Sequence, residues 1–166
     1  MDVIVVRHGL ALDRDEARNR GMLDRDRPLT KPGQSRMRRA ARGIASRTPE
    51  LWTVLTSPLR RAVQTAEILC DQYKGVRQIE TDALLPEAEP GALAELLAGG
   101  TFESPVAVVG HEPHLSSWVS WCLTGDVRSL LQLRKGGACR LSFDGAPGAG
   151  RGQLLWLATP AILRRI

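Results

Sequence analysis

The sequence predicts an α/β sandwich, and three observations predict it. Short apolar runs of strand length recur: "VIVV" at 3–6, "TVLT" at 53–56 and "VAVV" at 106–109. Longer segments with apolar residues at helical spacing lie between them. Helix start and stop residues punctuate those segments. Strands that alternate with helices place the helices on the faces of a central sheet. A chain of 166 residues fits one domain over 1–166 and buries enough surface to fold without disulfides or a structural metal.

Taken in order, the first three runs are short and rich in valine and leucine, as in strands covered on both faces. Leu10 to Lys31 is charged and aperiodic, and is expected to form part of a pocket rim. From Gly33 to Arg47 the residues Met37, Ala40, Ala41, Ile44 and Ala45 make one apolar stripe, with Thr30 as N-cap. A second helix is expected from Pro58 to Tyr73, with Ser57 as N-cap and Pro58 at the first helical position. Its stripe is Leu59, Ala62, Val63, Ala66, Leu69, Cys70 and Tyr73. "PGALAELLAGG" at 90–100 reads as a short helix. Pro113 to Thr124 reads as a longer one, apolar at Leu115, Trp118, Val119, Cys122 and Leu123 and closed by Gly125. "CRLSF" at 139–143 and "LLWLA" at 154–158 read as strands joined by the loop "DGAPGAGRGQ".

Charge and cysteine content narrow the function. Cys70, Cys122 and Cys139 are scattered and form no CxxC pair, which favours reduced thiols in the cytoplasm over a disulfide frame or zinc site. No apolar run approaches the ~20 residues of a membrane span, and no signal peptide opens the chain, so no membrane partner is expected. The net charge of +5 lies wholly in residues 1–50, where twelve Lys/Arg face seven Asp/Glu. The plain reading of this excess, concentrated from Arg14 to Arg47, is solvated faces; the functional one is a positive rim for an anionic substrate or acidic partner. Nucleic acid is not expected, since aromatics are only 4% and the basic residues alternate with acids, as in "LDRDEARNR".

The chemistry sits where the buried runs end. "VIVV" leads into Arg7-His8-Gly9, "TVLT" into Ser57-Pro58-Leu59-Arg60-Arg61, and "VAVV" into Gly110-His111-Glu112-Pro113. Carboxyl ends of strands in open α/β sheets are where ligands bind, and following helix N-termini offer free N–H groups to anions. Two histidines and two arginines gathered there suit a phosphoryl group.

These blocks, "RHG", "SPLRRAVQTA" and "VGHEPHL", resemble the histidine phosphatase superfamily. The short chain, "RPLTKPG" and the closing "LLWLATPAILRRI" are similar to its SixA-type phosphohistidine phosphatase branch. The resemblance implies a three-layer αβα sandwich with a mostly parallel central sheet, of the phosphoglycerate mutase-like kind. It makes His8 a covalent nucleophile, Arg7 and Arg61 phosphate clamps, and His111 a second contact to the phosphoryl oxygens. Gly9, Ser57 and Glu112 join the expected phosphate-binding set. In many members a carboxylic acid protonates the leaving group; Glu87 in "LLPEAEPG" is the nearest match, with Glu89 and Glu112 as alternatives. Arg60 reads as a solvated charge, and His114 as a helix-surface or pocket-rim residue.

No cofactor or metal is expected, since His111 and His114 make H-x-x-H and not a zinc motif. The leading expectation is a metal-independent phosphatase acting on a histidine-phosphorylated protein. A small-molecule phosphomonoesterase for sugar or nucleotide phosphates stands as the alternative, and a non-catalytic phosphate-binding module as another. The absence of room for a long covering insertion favours a protein substrate.

Overall fold

The computed structural model describes residues 1–128 and 130–165. Six strands form one sheet: β1 (Asp2–Arg7), β2 (Thr53–Thr56), β3 (Arg77–Glu80), β4 (Val106–Gly110), β5 (Ala138–Ser142) and β6 (Gln153–Ala158). Their order across the sheet is β3-β2-β4-β1-β5-β6. The β3, β2, β4 and β1 neighbours pair in parallel, while β5 pairs antiparallel with both β1 and β6. Six helices complete the fold: α1 (Arg14–Asn19), α2 (Lys31–Arg47), α3 (Arg60–Cys70), α4 (Pro90–Gly99), α5 (His114–Thr124) and α6 (Pro160–Leu163). The expected three-layer sandwich is present.

The valine runs are apolar throughout because each strand feeds two cores. Ile4 and Val6 of β1 join Val54, Ala107 and Val109 against Met37, Ile44 and Leu69 of α2 and α3. Val3 and Val5, one position out of phase, join Leu55, Val106 and Val108 against Leu93 of α4 and Trp118 of α5. Side chains alternate across a strand, so a strand with helices on both faces needs apolar residues at every position. Full burial of each such side chain contributes roughly 1.5–3 kcal/mol.

Thr30 caps α2 through its hydroxyl, which accepts from the Gly33 amide at 3.0 Å. Gly125 closes α5 in the left-handed region at φ 82°. Gly33 is required for space, since a Cβ built there would lie 2.0 Å from the Leu10 carbonyl oxygen. Only a glycine lets the first turn of α2 meet the chain that follows His8.

Three expectations are corrected. The second helix begins at Arg60 with Leu59 as its cap residue, not at Pro58, and it ends at Cys70, not Tyr73. Ser57 therefore does not cap it; the hydroxyl is taken by other partners, described below. β3 ("RQIE") has no counterpart among the expected strands. It is a mostly exposed edge strand, so no apolar alternation marks it. His114 is buried in α5, not on the helix surface. Among the described residues, no helix is long and apolar enough to cross a membrane.

Candidate active site

Sheet register brings the two motif histidines together. In the parallel β1–β4 pair, Arg7 lies opposite Gly110, so the next residues, His8 and His111, leave the sheet side by side. Their ring centroids are 5.0 Å apart at an interplanar angle of 52°. The β2–β4 pair sets Thr56 opposite Val109, which brings Ser57 to the same edge. Three separated motifs thus meet by strand pairing alone.

The backbone at His8 is fixed from three sides. Its amide donates to the Gly110 carbonyl at 3.1 Å, and its own carbonyl accepts from the Gly136 amide at 3.1 Å. The Gly9 amide donates to Thr65 Oγ1 at 3.0 Å, and that hydroxyl donates in turn to the Arg61 carbonyl at 2.7 Å. Thr65, on α3, therefore ties the loop after His8 to the helix that carries Arg61.

The ring of His8 is held in one tautomer. Its Nδ1 lies 2.7 Å from the Gly9 carbonyl oxygen. A carbonyl can only accept, so Nδ1 carries the hydrogen and Nε2 keeps its lone pair. Burial, reinforced by the Arg61 and Arg7 charges, pushes the imidazole pKa down to about 3, although the Gly9 bond opposes this. The ring is neutral and nucleophilic at physiological pH.

His111 shares a hydrogen bond of 2.9 Å between Nε2 and Ser57 Oγ, and Ser57 Oγ also accepts from the Leu59 amide at 3.3 Å. Ser57 lies two residues before the cap position of α3, so its hydroxyl serves His111 and the Leu59 amide and not the first turn of the helix. Burial lowers the His111 pKa as well, with His8 and Arg61 adding to the effect.

Asp24 organises the cations. Arg61 is 2% exposed; its Nη1 donates to the Asp24 carbonyl at 2.9 Å, and its Nη2 lies 3.2 Å from Asp24 Oδ2. Arg27 Nε donates to Asp24 Oδ1 at 2.9 Å, and Arg27 also donates to the Leu12 carbonyl. Arg14 Nε reaches the same carboxylate at 3.5 Å. Burial opposes ionisation of Asp24, but Arg27, Arg61 and Arg14 outweigh it and hold the carboxyl below its usual range. Arg7 is anchored by Nη1, which donates to the Leu133 carbonyl at 2.7 Å.

These groups surround a cavity of about 570 Å³, lined by Arg7, His8, Arg27, Arg61, His111 and Glu112 together with Lys135 and the Leu10–Asp15 segment. The expected rim segment does form one wall. Arg7 Nε, Arg61 Nε and His111 Nδ1 are buried and lack any hydrogen-bond partner. A buried polar atom left unpaired costs about 1–3 kcal/mol, so three of them around one cavity mark a place built for an acceptor-rich ligand. Oxyanions carry acceptors only.

The remaining sequence candidates separate clearly. Arg60 is exposed while Arg61 is buried in the cavity wall. Glu87 and Glu89 are exposed and outside the lining, where Pro86 takes the place beside the cavity. Glu112 lines it, and its Oε1 accepts from Ser116 Oγ at 2.7 Å. Sequence reasoning missed Asp24, Arg27 and Lys135 as site residues. Arg27 opens "RPLTKPG", which was legible as a motif but carried no role, and Lys135 had no signal at all.

The histidine phosphatase superfamily (branch 1) model matches residues 3–99, and the chain belongs to that superfamily. An uncharacterised protein of Picosynechococcus sp. strain PCC 7002 is 33% identical over 148 residues, covering 88% of this chain and 87% of that protein. Among solved structures, the protein histidine phosphatase SixA complexed with tungstate matches with a TM-score of 0.78 and 26% identity, over 97% of this chain and 98% of that one. A mycobacterial glucosyl-3-phosphoglycerate phosphatase bound to VO3 matches with a TM-score of 0.66 and 19% identity, over 95% and 99% of the two chains. That likeness is one of fold. The chain is a phosphatase-superfamily member of phosphoglycerate mutase-like fold.

Proposed function

We propose that this protein is a phosphohistidine phosphatase acting on a phosphorylated protein through a covalent intermediate on His8. The observation that carries the reading is the cavity wall: a neutral imidazole with a free Nε2 beside the unpaired buried Nε–H groups of Arg7 and Arg61 and the unpartnered Nδ1 of His111. The related SixA structure is complexed with tungstate, a tetrahedral oxyanion that shares the shape and charge of a phosphoryl group.

His8 Nε2 attacks phosphorus, forming a P–Nε2 bond as the bond to the leaving group breaks. Arg7, Arg61 and His111 donate to the equatorial oxygens, where charge spreads in the transition state. Arg27 adds a fixed positive charge behind Arg61. The phosphoryl charge also lets His111 take up the proton that burial denies it in the empty site. The departing imidazole takes a proton from solvent water, handed across the Glu112 carboxylate, the one among the three candidates that lines the cavity. Water then attacks phosphorus, its proton passes across Glu112 back to solvent, the P–Nε2 bond breaks, and inorganic phosphate leaves with His8 neutral again. A P–N bond is weaker than an ester P–O bond, so this reaction does not depend on a carboxylic acid of raised pKa.

The test combines a trapped intermediate with a substrate panel. Labelled phosphoramidate should leave a phosphoenzyme that survives alkali, decays in acid and is absent from His8→Ala, whose turnover falls by roughly 10³-fold or more. A phosphohistidine protein should outrun sugar phosphates in kcat/KM. Turnover by His8→Ala at the normal rate would sink the nucleophile assignment. Faster hydrolysis of sugar phosphates would replace the substrate class with the small-molecule one.

A further inference from the structure

A second depression lies against the catalytic cavity and differs from it in kind. It encloses about 490 Å³ between α2, α6 and the turn before β5, and meets the catalytic cavity at Leu10 and Lys135, which line both. Its floor is apolar, from Met37, Ala40 and Pro160. Its rim carries Arg36, Arg134, Lys135 and Arg164, with no acidic residue in the lining. None of these four cations is ion-paired among the described residues, whereas Arg14, Arg27 and Arg61 of the neighbouring cavity all share Asp24. Four unpaired cations around an apolar floor repel one another, an arrangement that an acidic occupant relieves.

Resting on the phosphoprotein reading above, we propose that this groove docks an acidic segment of the phosphorylated partner, with an apolar side chain on the Met37–Pro160 floor and carboxylates against Arg36, Arg134 and Arg164. The occupant is a peptide segment because the groove runs on into the catalytic cavity. A chain whose phosphohistidine points at His8 can lay its flank along the groove without a break. Tethering also makes docking effectively intramolecular once the phosphoryl group is bound. Substrate preference would then come from the groove, and chemistry from the cavity.

The experiment compares two phosphohistidine peptides that share a central leucine and differ in flanks rich in glutamate or in lysine, with phosphoramidate as the small substrate. The glutamate peptide should be hydrolysed with a kcat/KM roughly tenfold above the lysine peptide at low salt, and the gap should close near ~1 M salt. The double variant Arg36→Glu/Arg164→Glu should abolish that preference while phosphoramidate turnover stays within about twofold. Arg38→Glu/Arg39→Glu, two exposed arginines of α2 outside both linings, should retain it.

A preference that survives in Arg36→Glu/Arg164→Glu, or vanishes in Arg38→Glu/Arg39→Glu, overturns the groove assignment and leaves the His8 chemistry standing. Binding of a fluorescein-labelled glutamate peptide without phosphohistidine, followed by anisotropy, reads docking apart from catalysis. Loss of that binding in Arg36→Glu/Arg164→Glu supports the groove even if no phosphohistidine substrate turns over. Equal binding by both proteins counts against it.

Discussion

The two depressions meet at Leu10 and Lys135 and are both rich in cations, yet they use those cations in opposite ways. In the catalytic cavity the guanidinium groups of Arg27 and Arg61 are buried and fixed by Asp24, so their position is set before any ligand arrives. In the neighbouring groove Arg36, Arg134 and Lys135 are exposed, and among the described residues none of them forms an ion pair with a carboxylate. Buried, oriented donors stabilise one charge distribution strongly because they need no reorganisation. Exposed side chains attract many acidic surfaces weakly. The contrast teaches that positive charge alone does not fix a donor; burial together with a paired carboxylate does, as at Arg27 and Arg61.

The largest expected effect that would break this comparison is at Arg61. A hydrogen bond to a charged group contributes about 1.5–3 kcal/mol, so Arg61→Ala should lower kcat/KM for phosphoramidate by roughly 10–150-fold. Arg60→Ala, one residue away and exposed, should change it by less than about twofold. Equal losses at the two positions in steady-state assays would dissolve the distinction.

A smaller effect sharpens it. Asp24→Asn keeps the shape but removes the charge that holds Arg27 and Arg61 together, and should lower kcat by roughly five- to tenfold. Asp24 is a positioning residue, so the informative readout is the split: kcat falls while the melting temperature and the KM for phosphoramidate move little. A loss confined to stability would reduce Asp24 to a structural ion pair.

A further effect, on stability and not on rate, is in its pH dependence. The folded His8 pKa is depressed to about 3 against 6.5 for the free side chain. As pH falls below 6.5 the unfolded chain binds a proton that folded His8 refuses. Its stability contribution is therefore complete above 6.5 and drains away as pH drops toward about 3. His111 and His114, both lowered chiefly by burial, act in the same direction. Urea unfolding midpoints should decline between about pH 7 and 5, and less steeply in His8→Ala. An identical slope in the variant would mean that His8 titrates normally.

The sequence displayed the central part of this molecule well because the relevant signals are local. Strands β1 and β4 each carry a continuous apolar run and β2 a Val-Leu pair between two threonines, and Arg7, His8, Arg61 and His111 follow within a few residues. Register then does the assembly, so reading three strand ends sufficed to bring four side chains together. Contacts that span loops were invisible. Asp24 meets Arg61 across 37 residues of chain, and nothing local distinguishes it from the neighbouring Asp26. Glu87 looked suitable as an acid by its place after "LLP", but the turn there puts Pro86, not the carboxylate, beside the cavity. Ser57 precedes a proline as a cap residue would, yet an imidazole from another strand end claims its hydroxyl. Burial of His114 was hidden because one polar residue within an apolar helix face does not announce which way the face turns.

The contact between Gly33 and the Leu10 carbonyl separates what this protein can vary from what it cannot. Main chain rests directly on main chain there, so no rotamer can yield between helix and reactive loop. Changes at the outward charges of the same helix need not shift that seat, so under the docking proposed above the choice of partner could be retuned without moving His8.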